Sequence, residues 1–249
     1  MKQRTSPKRP RRELGDCPAN LPDPAVYEAE YEYWPWGKVI DLVIEWLCEN
    51  AARSARVSDY MCGTGFLLAR VLARRPDIAA AGCDLSAEYI EYAKRIHKLR
   101  CVVAEDVFLY EPKQNSDIIV CTAGLHHIER AKQKAFVQRL ASHLSTNGKL
   151  LLGEEVLRSY ADRTSRRLAA TELGAALLAH VIQRDPPLGV LTAAAQVMLN
   201  DLFERGEYKT SLETLKDLLA PEFHIDEIHH VWPANEEGYG DVVLLCQKN

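Results

Sequence analysis

Apolar and polar positions follow two rhythms along the chain, and the change between them divides it. From about residue 25 to 157, short apolar runs alternate with segments whose apolar residues recur at helical spacing. That is the pattern of a parallel sheet wound by crossover helices. The strands it predicts are Ala55 to Asp59, Ile78 to Cys83, Cys101 to Ala104, Ile118 to Thr122 opened by Asp117, and Lys149 to Gly153. Between them, Phe66 to Arg74 is a helix stopped by Pro76, and a capping signal at Ser86 with Glu88 opens a helix through Lys98. A further helix from about Arg130 to Leu144 is expected to stop at Asn147-Gly148.

Beyond residue 157 the strand rhythm is lost. Thr164 to Ile182, Leu188 to Phe203 and Leu212 to Leu219 are helical, with Pro186-Pro187 dividing the first two. Phe223 to Val231 and Asp241 to Gln247 then return to strand type. The short connection between them, with Pro233, Gly238 and Gly240, predicts an antiparallel pair. The fold expected is α/β: a seven-stranded, mostly parallel, doubly wound sheet with one antiparallel strand and a helical cap inserted after strand five. Four zones follow: a basic flexible tail over 1–24, a ligand-binding core over 25–157, the cap over 158–220, and the last two strands over 221–249.

Composition narrows the class. With 249 residues, 47% of them hydrophobic, the chain can bury a sizeable core. A net charge of −4 argues against a protein that coats nucleic acid, so polyanion contact would need a local patch. Lys2, Arg4, Lys8, Arg9, Arg11 and Arg12 form one, in a segment whose plain reading is a solvated tail. No signal-peptide pattern follows it, and no run of about 18 apolar residues occurs, so no membrane span is expected. The seven cysteines include no C-x-x-C pair and several fall inside strands, which fits reduced thiols in a cytoplasmic protein.

The chemistry-bearing residues gather at strand ends. Asp59-Tyr60-Met61-Cys62-Gly63-Thr64-Gly65 follows the first strand. Its glycines let backbone approach a ligand and start a helix whose N-terminus favours a carboxylate or phosphate. Asp84 ends the second strand, about twenty residues on, where an acid accepts from ribose hydroxyls. A dinucleotide dehydrogenase fits these two features equally. A third acid, in Ala104-Glu105-Asp106-Val107, lies where a carboxylate can accept from an adenine amino group.

With the run from Asp117 into Gly124-Leu125-His126-His127-Ile128, and Leu144 to Leu150 after the next helix, the chain resembles the class I (Rossmann-like) S-adenosylmethionine-dependent methyltransferases of small-molecule type. The resemblance covers roughly residues 25–157 and the two final strands. It implies S-adenosylmethionine as cofactor and S-adenosylhomocysteine as product. By position, Asp59, Met61, Cys62, Gly63 and Gly65 would hold the methionine end of the cofactor. Asp84 and Leu85 would take the ribose, Asp106 and Val107 the adenine, and Thr122 and Ala123 would flank the sulfonium. Met61 departs from the pattern, because many relatives carry a third glycine there.

His126, His127 and Glu154 are the candidate catalytic groups at that rim, His126 slightly ahead. Glu155, Tyr27, Tyr31 and Trp34 are candidate acceptor or lid residues, the aromatics preceding a helix at Val39 to Cys48. No metal is expected, since no His/Cys/Asp cluster has ligand spacing. The apolar cap reads as a cover over a small or medium organic acceptor, with a homodimer through the cap as the other way to bury it. RNA or protein methylation using the basic tail, and a non-methylating cofactor-binding homologue, are the alternatives.

Overall fold

The computed structural model describes residues 21–234 and 238–249, so the basic tail and Cys17 lie outside the described residues. Two helices precede the sheet: α1 (Pro24–Tyr33), capped by Asp23, and α2 (Trp36–Asn50). Then β1 (Arg56–Tyr60), α3 (Phe66–Arg74), β2 (Ala79–Asp84), α4 (Ala87–Ile96), β3 (Val102–Ala104) and β4 (Ser116–Thr122) follow in order. A single 3-10 turn over Leu125–His127 leads into α5 (Arg130–His143) and β5 (Leu144–Val156). The cap is α6 (Arg163–Ile182) and α7 (Leu188–Phe203), then come α8 (Leu212–Leu219), β6 (Phe223–Trp232) and β7 (Gly240–Lys248).

The seven strands form one sheet in the order β3-β2-β1-β4-β5-β7-β6. β7 is antiparallel to both its neighbours and all other pairings are parallel, as the sequence predicts. The order reverses beside β1, between β1 and β4, which is where a doubly wound sheet opens a crevice at its carboxyl edge. Strand residues alternate between two cores. Leu150, Leu152 and Val156 pack with Phe136, Leu140 and Leu215 on the face of α5 and α8. Leu151 and Val243 pack with Val39, Val43, Leu67 and Val71 on the face of α2 and α3.

Helix α1 is absent from the sequence reading and α2 begins three residues before the expected Val39, but the two differences that bear on the site are both on β5. The strand starts at Leu144, directly after α5, and Asn147 with its left-handed φ of 63° lies inside it. Leu144 pairs with Ser116 and Lys149 with Ile118, so the Asn147-Gly148 signal marks a bulge in the ladder rather than a helix stop. At its other end β5 runs past Gly153, because Glu154, Glu155 and Val156 continue to pair with Val242, Asp241 and Gly240. Glu154 and Glu155 therefore belong to the strand and point to opposite faces.

The cap rests on the rim of the sheet. Leu173, Leu177, Val181, Val190 and Ala194 cluster with Trp232 and Tyr239, and Val26, Tyr33 and Trp34 of the α1 region pack against them. Gly174 is where the two cap helices close on each other, since a Cβ there would run into Met198. Among the described residues no helix is long and apolar enough to cross a membrane.

Candidate functional site

The loop after β1 is built by left-handed backbone at three places. Gly63 and Gly65 hold φ of 53° and 72°, and Met61 holds φ of 60°. For methionine that conformation costs about 1 kcal/mol relative to an ordinary helical or extended backbone. Packing offsets it: a Cβ on Gly124 would lie 3.2 Å from the Met61 sulfur, so the thioether lies along the backbone that follows β4. Met61 thus ties the glycine loop to the Gly-Leu-His-His segment. The Cys62 thiol is pushed up by burial and packs near Gly82, which suits a core group and not a nucleophile.

Asp84 is bound into that loop. Its carboxylate accepts from the amide of Gly63 at 2.8 Å and from the amide of Ser86 at 2.8 Å. Burial raises its pKa, while those two bonds and His127 oppose the rise. Asp59, two residues before Met61, is buried, and burial with the nearby Asp84 pushes its carboxyl well up. Leu85 lies half-buried beside Asp84. Asp106 accepts from the amide of Phe108 at 2.8 Å and so turns the chain after β3. Val107 is packed in the core with Tyr60 and Phe136, which leaves Asp106 as the side chain at this edge.

The end of β4 is held by Glu154. One of its carboxylate oxygens accepts from the amides of Gly124 and Leu125, at 3.1 and 2.8 Å, and the other lies 2.7 Å from Nδ1 of His126. Both oxygens are therefore engaged in shaping the turn that presents the histidines. Thr122 ends the strand, and Ala123 follows at φ 50°, its amide donating to the carbonyl of Gly153. Strained non-glycine residues of this kind persist where the surroundings over-determine them, often at functional sites.

His126 and His127 are shifted in opposite directions. Burial works to lower the His126 imidazole, but Glu154 and Glu207 together carry it up to about 9. Burial lowers His127, and the charge on His126 adds to that, against a contrary pull from Glu207. His127 remains 40% exposed and its Nδ1 lies 2.9 Å from the carbonyl oxygen of Gly206. With Nδ1 donating there, its Nε2 is the acceptor. Of the two imidazoles, burial thus keeps His127 below its ordinary value while the acids carry His126 above it.

Two residues of this group were not legible in the sequence. Glu207 and Lys209 come from the connection between α7 and α8, which folds back over the strand ends. Tyr208 donates its amide to the carbonyl of His126, and Leu157 donates to the carbonyl of Thr210. The Lys209 ammonium is buried between Glu207 at 2.6 Å and Glu155 at 3.0 Å. Glu207 lies 3.4 Å from Nε2 of His126. Burial would raise the Glu207 carboxyl, yet Lys209 and the two histidines hold it down at about 2. His126, His127 and Glu207 also place one ligand atom each within 4.8 Å of one another, a grouping that could hold a metal ion and that sequence spacing did not reveal. In this structure the cation against Glu207 is Lys209.

A pH dependence follows from His126. Its folded pKa lies above the unfolded value, so its contribution is complete below about 6.5 and is lost as pH rises through 9. The expected loss is on the order of 3 kcal/mol of unfolding free energy between pH 6.5 and 10. Urea melts across that range measure it, and His126→Gln is expected to flatten the profile. An equally steep profile in the variant would assign the loss to other groups.

The lid residues divide. Tyr27 lies on the glycine loop: a Cβ on Gly63 would come 3.2 Å from its ring, which also meets Trp36 and Tyr89. Burial, then Glu30, Asp84, Tyr89 and Asp59, raise its hydroxyl. Tyr31 turns away, donating to Asp41 at 2.5 Å under the guanidinium of Arg70. Trp34 packs into the cap cluster, and its indole N–H is buried without a partner. The Thr64 hydroxyl in the loop and the Trp36 N–H are likewise buried and unpartnered. A bare glycine cradle bordered by orphaned polar atoms and buried acids fits a polar cofactor such as S-adenosylmethionine. A surface cavity of about 590 Å³ beside Lys216, His224 and Asp226 is at the opposite end of the strands.

Residues 57–148 match the family model of a methyltransferase domain. A carboxy-S-adenosyl-L-methionine synthase from Campylobacter hominis is 27% identical over 123 residues, covering 48% of this chain and 52% of the relative. The chain spans about half the length of the curated relatives it matches. Among solved structures, the plantazolicin methyltransferase BpumL, in complex with a triazolic desmethylPZN analog and SAH, superposes with a TM-score of 0.62 at 11% identity, over 90% of this chain and 89% of that one. The N-methyltransferase NodS from Bradyrhizobium japonicum WM9, in complex with S-adenosyl-l-homocysteine, gives 0.56 at 13% identity, over 91% and 97%. At these identities the superpositions establish the fold alone; the domain match is what points toward methyl transfer. Residues 57–148 are similar to a methyltransferase domain, and the chain has the class I, Rossmann-like methyltransferase fold.

Proposed function

We propose that this protein transfers a methyl group from S-adenosylmethionine to a small or medium organic acceptor held between the ends of β4 and β5 and the helical cap. The observation that carries this reading is the convergence at one rim: the glycine loop pinned by Asp84, and the His126–His127–Glu154 turn with Lys209 and Glu207 above it. When bound, the cofactor supplies a methyl group on a positively charged sulfur. Gly63, Gly65 and Asp59 would hold its methionine end, with Asp84 and Asp106 toward the nucleoside. Tyr27 on the lid helix would close over it.

The residues above the strand ends then have separate tasks. Glu154 orients the turn and is not free to meet an acceptor. His127, neutral and partly exposed, is the group able to take a proton from an acceptor hydroxyl or amine. Glu155, on the other face of β5, would border the acceptor. An acceptor of modest size is favoured because α1 and the cap close over this rim. A polynucleotide would instead need an open basic groove with stacking aromatics.

Calorimetry with S-adenosylmethionine and S-adenosylhomocysteine tests the first half, and binding of neither would sink it. For the second half, the protein is incubated with methyl-tritiated S-adenosylmethionine and a fractionated cell lysate. Label is expected in the small-molecule fraction. Label confined to RNA or protein would replace this reading with its macromolecular alternative, and binding without any transfer would favour a non-methylating role.

A further inference from the structure

The acceptor rim carries more carboxyl groups than its cations can match. Glu155 of β5 and Asp241 of β7 are directly paired across the antiparallel ladder, so their side chains stand on the same face. Two acids in that relation repel unless something lies between them. Glu30 of α1 lies close enough to Glu155 to feel its charge. It is 5% exposed, and Asp241 is 2% exposed. Both keep a buried carboxyl oxygen with no hydrogen-bond partner, Oε1 of Glu30 and Oδ2 of Asp241.

Lys209 is the resident cation, and it is spent on Glu155 and Glu207. The other nearby cations are committed as well. Arg166 is held by Asp201 at 2.5 Å, Arg130 by Glu204 at 2.9 Å, and His126 by Glu154 at 2.7 Å. Burial and then the charge of Glu155 push the carboxyls of Glu30 and Asp241 well up; Lys209 and His126 pull the Asp241 carboxyl the other way without hydrogen-bonding its buried oxygen. A buried orphaned carboxyl costs free energy, and here two elements, α1 and β7, each carry one. A ligand supplying positively charged N–H donors would remove that cost.

We infer that the acceptor pocket recognises its substrate through a protonated amine, bound by Glu30, Glu155 and Asp241 where the lid helix meets the ends of β5 and β7. This rests on the reading of that rim as the acceptor site and adds the class of substrate. The position of Glu30 supports it further. Glu30 follows Tyr27 by one helical turn, so the face of α1 that lies on the cofactor loop also carries the acid. Seating α1 therefore closes the cofactor cleft and completes the amine site together.

The test uses three probes of one shape: 2-phenylethylamine, 2-phenylethanol and 3-phenylpropionate, titrated by calorimetry into the full chain saturated with S-adenosylhomocysteine. The amine is expected to bind at least about tenfold more tightly than the alcohol, and the carboxylate not at all. Glu30→Gln, isosteric and on a lid helix, is expected to remove that preference while alcohol binding persists; Asp241→Asn is the second variant. Three results would overturn the inference. One is equal binding of amine and alcohol, or none by the amine. Another is loss of amine and alcohol together in Glu30→Gln. The third is amine binding seen only without S-adenosylhomocysteine, which would assign the acids to the cofactor's own amino group. Because S-adenosylhomocysteine binding is recorded first, failure of the amine site is distinguishable from failure of the methyltransferase reading.

Discussion

Asp84→Ala is expected to weaken S-adenosylhomocysteine binding by about a hundredfold or more, and to destabilise the protein by about 2 kcal/mol as well. The two effects share one cause. The Asp84 carboxylate accepts from the Gly63 amide in the cofactor loop and from the Ser86 amide that opens α4. Removing it releases the loop from its ligand-binding shape and strands two buried donors. Beside the ribose contact that the resemblance implies for it, Asp84 braces the loop in the structure. Asp84→Asn sharpens the test. The amide has one accepting oxygen, so its NH2 must face one of the two N–H donors, and the variant is expected to behave nearly as badly as alanine. Calorimetry and urea melts on both variants measure the two effects. Full stability with lost affinity would show that the loop is held by other contacts.

Asp84 also illustrates how far the sequence could be read. The sheet was legible because parallel strands buried on both faces write apolar runs, and the strand ends were legible because Asp59, Asp84, Asp106 and Thr122 follow those runs directly. The cap was legible too: the expected helix Leu188 to Phe203 coincides with α7. Roles within the rim were not. Glu154 and Glu155 are adjacent acids with the same local signal, and only strand alternation with the antiparallel partner β7 separates the capping residue from the one facing Asp241. His126 and His127 have the same local signal. Their opposite shifts have separate causes: Glu154, 28 residues along the chain, and Glu207 raise His126, whereas burial lowers His127. Glu207 and Lys209 carry no periodicity and sit near Gly206, in a segment that reads as a solvated connection. What marks them is burial, which arises only when residues 204–211 fold over β5.

That segment supports the second large effect. Lys209→Met is expected to destabilise the protein by about 3–5 kcal/mol, because it leaves Glu155 and Glu207 buried without their cation. The size follows from the asymmetry of buried ion pairs: an intact pair contributes little net, whereas one stranded charge retains its full desolvation cost. Adding Glu207→Gln to Lys209→Met should therefore recover part of the loss, although each change alone removes a contact. Double-mutant urea melts at pH 7 measure this coupling, and additive losses would mean the three groups do not act as a unit. The acid limb gives an independent check. Glu207 is held at about 2, below its unfolded value near 4.5, so its contribution is complete above pH 4.5 and is lost as pH falls toward 2. Glu207→Gln should blunt that loss. Lys209→Met should blunt it too, since the ammonium is the largest influence holding that carboxyl down. A protein that needed only a stable fold could replace this group with apolar side chains at no cost. That the chain instead buries an ammonium, its carboxylates and a charged imidazole above the strand ends accords with the proposal that the group handles substrate.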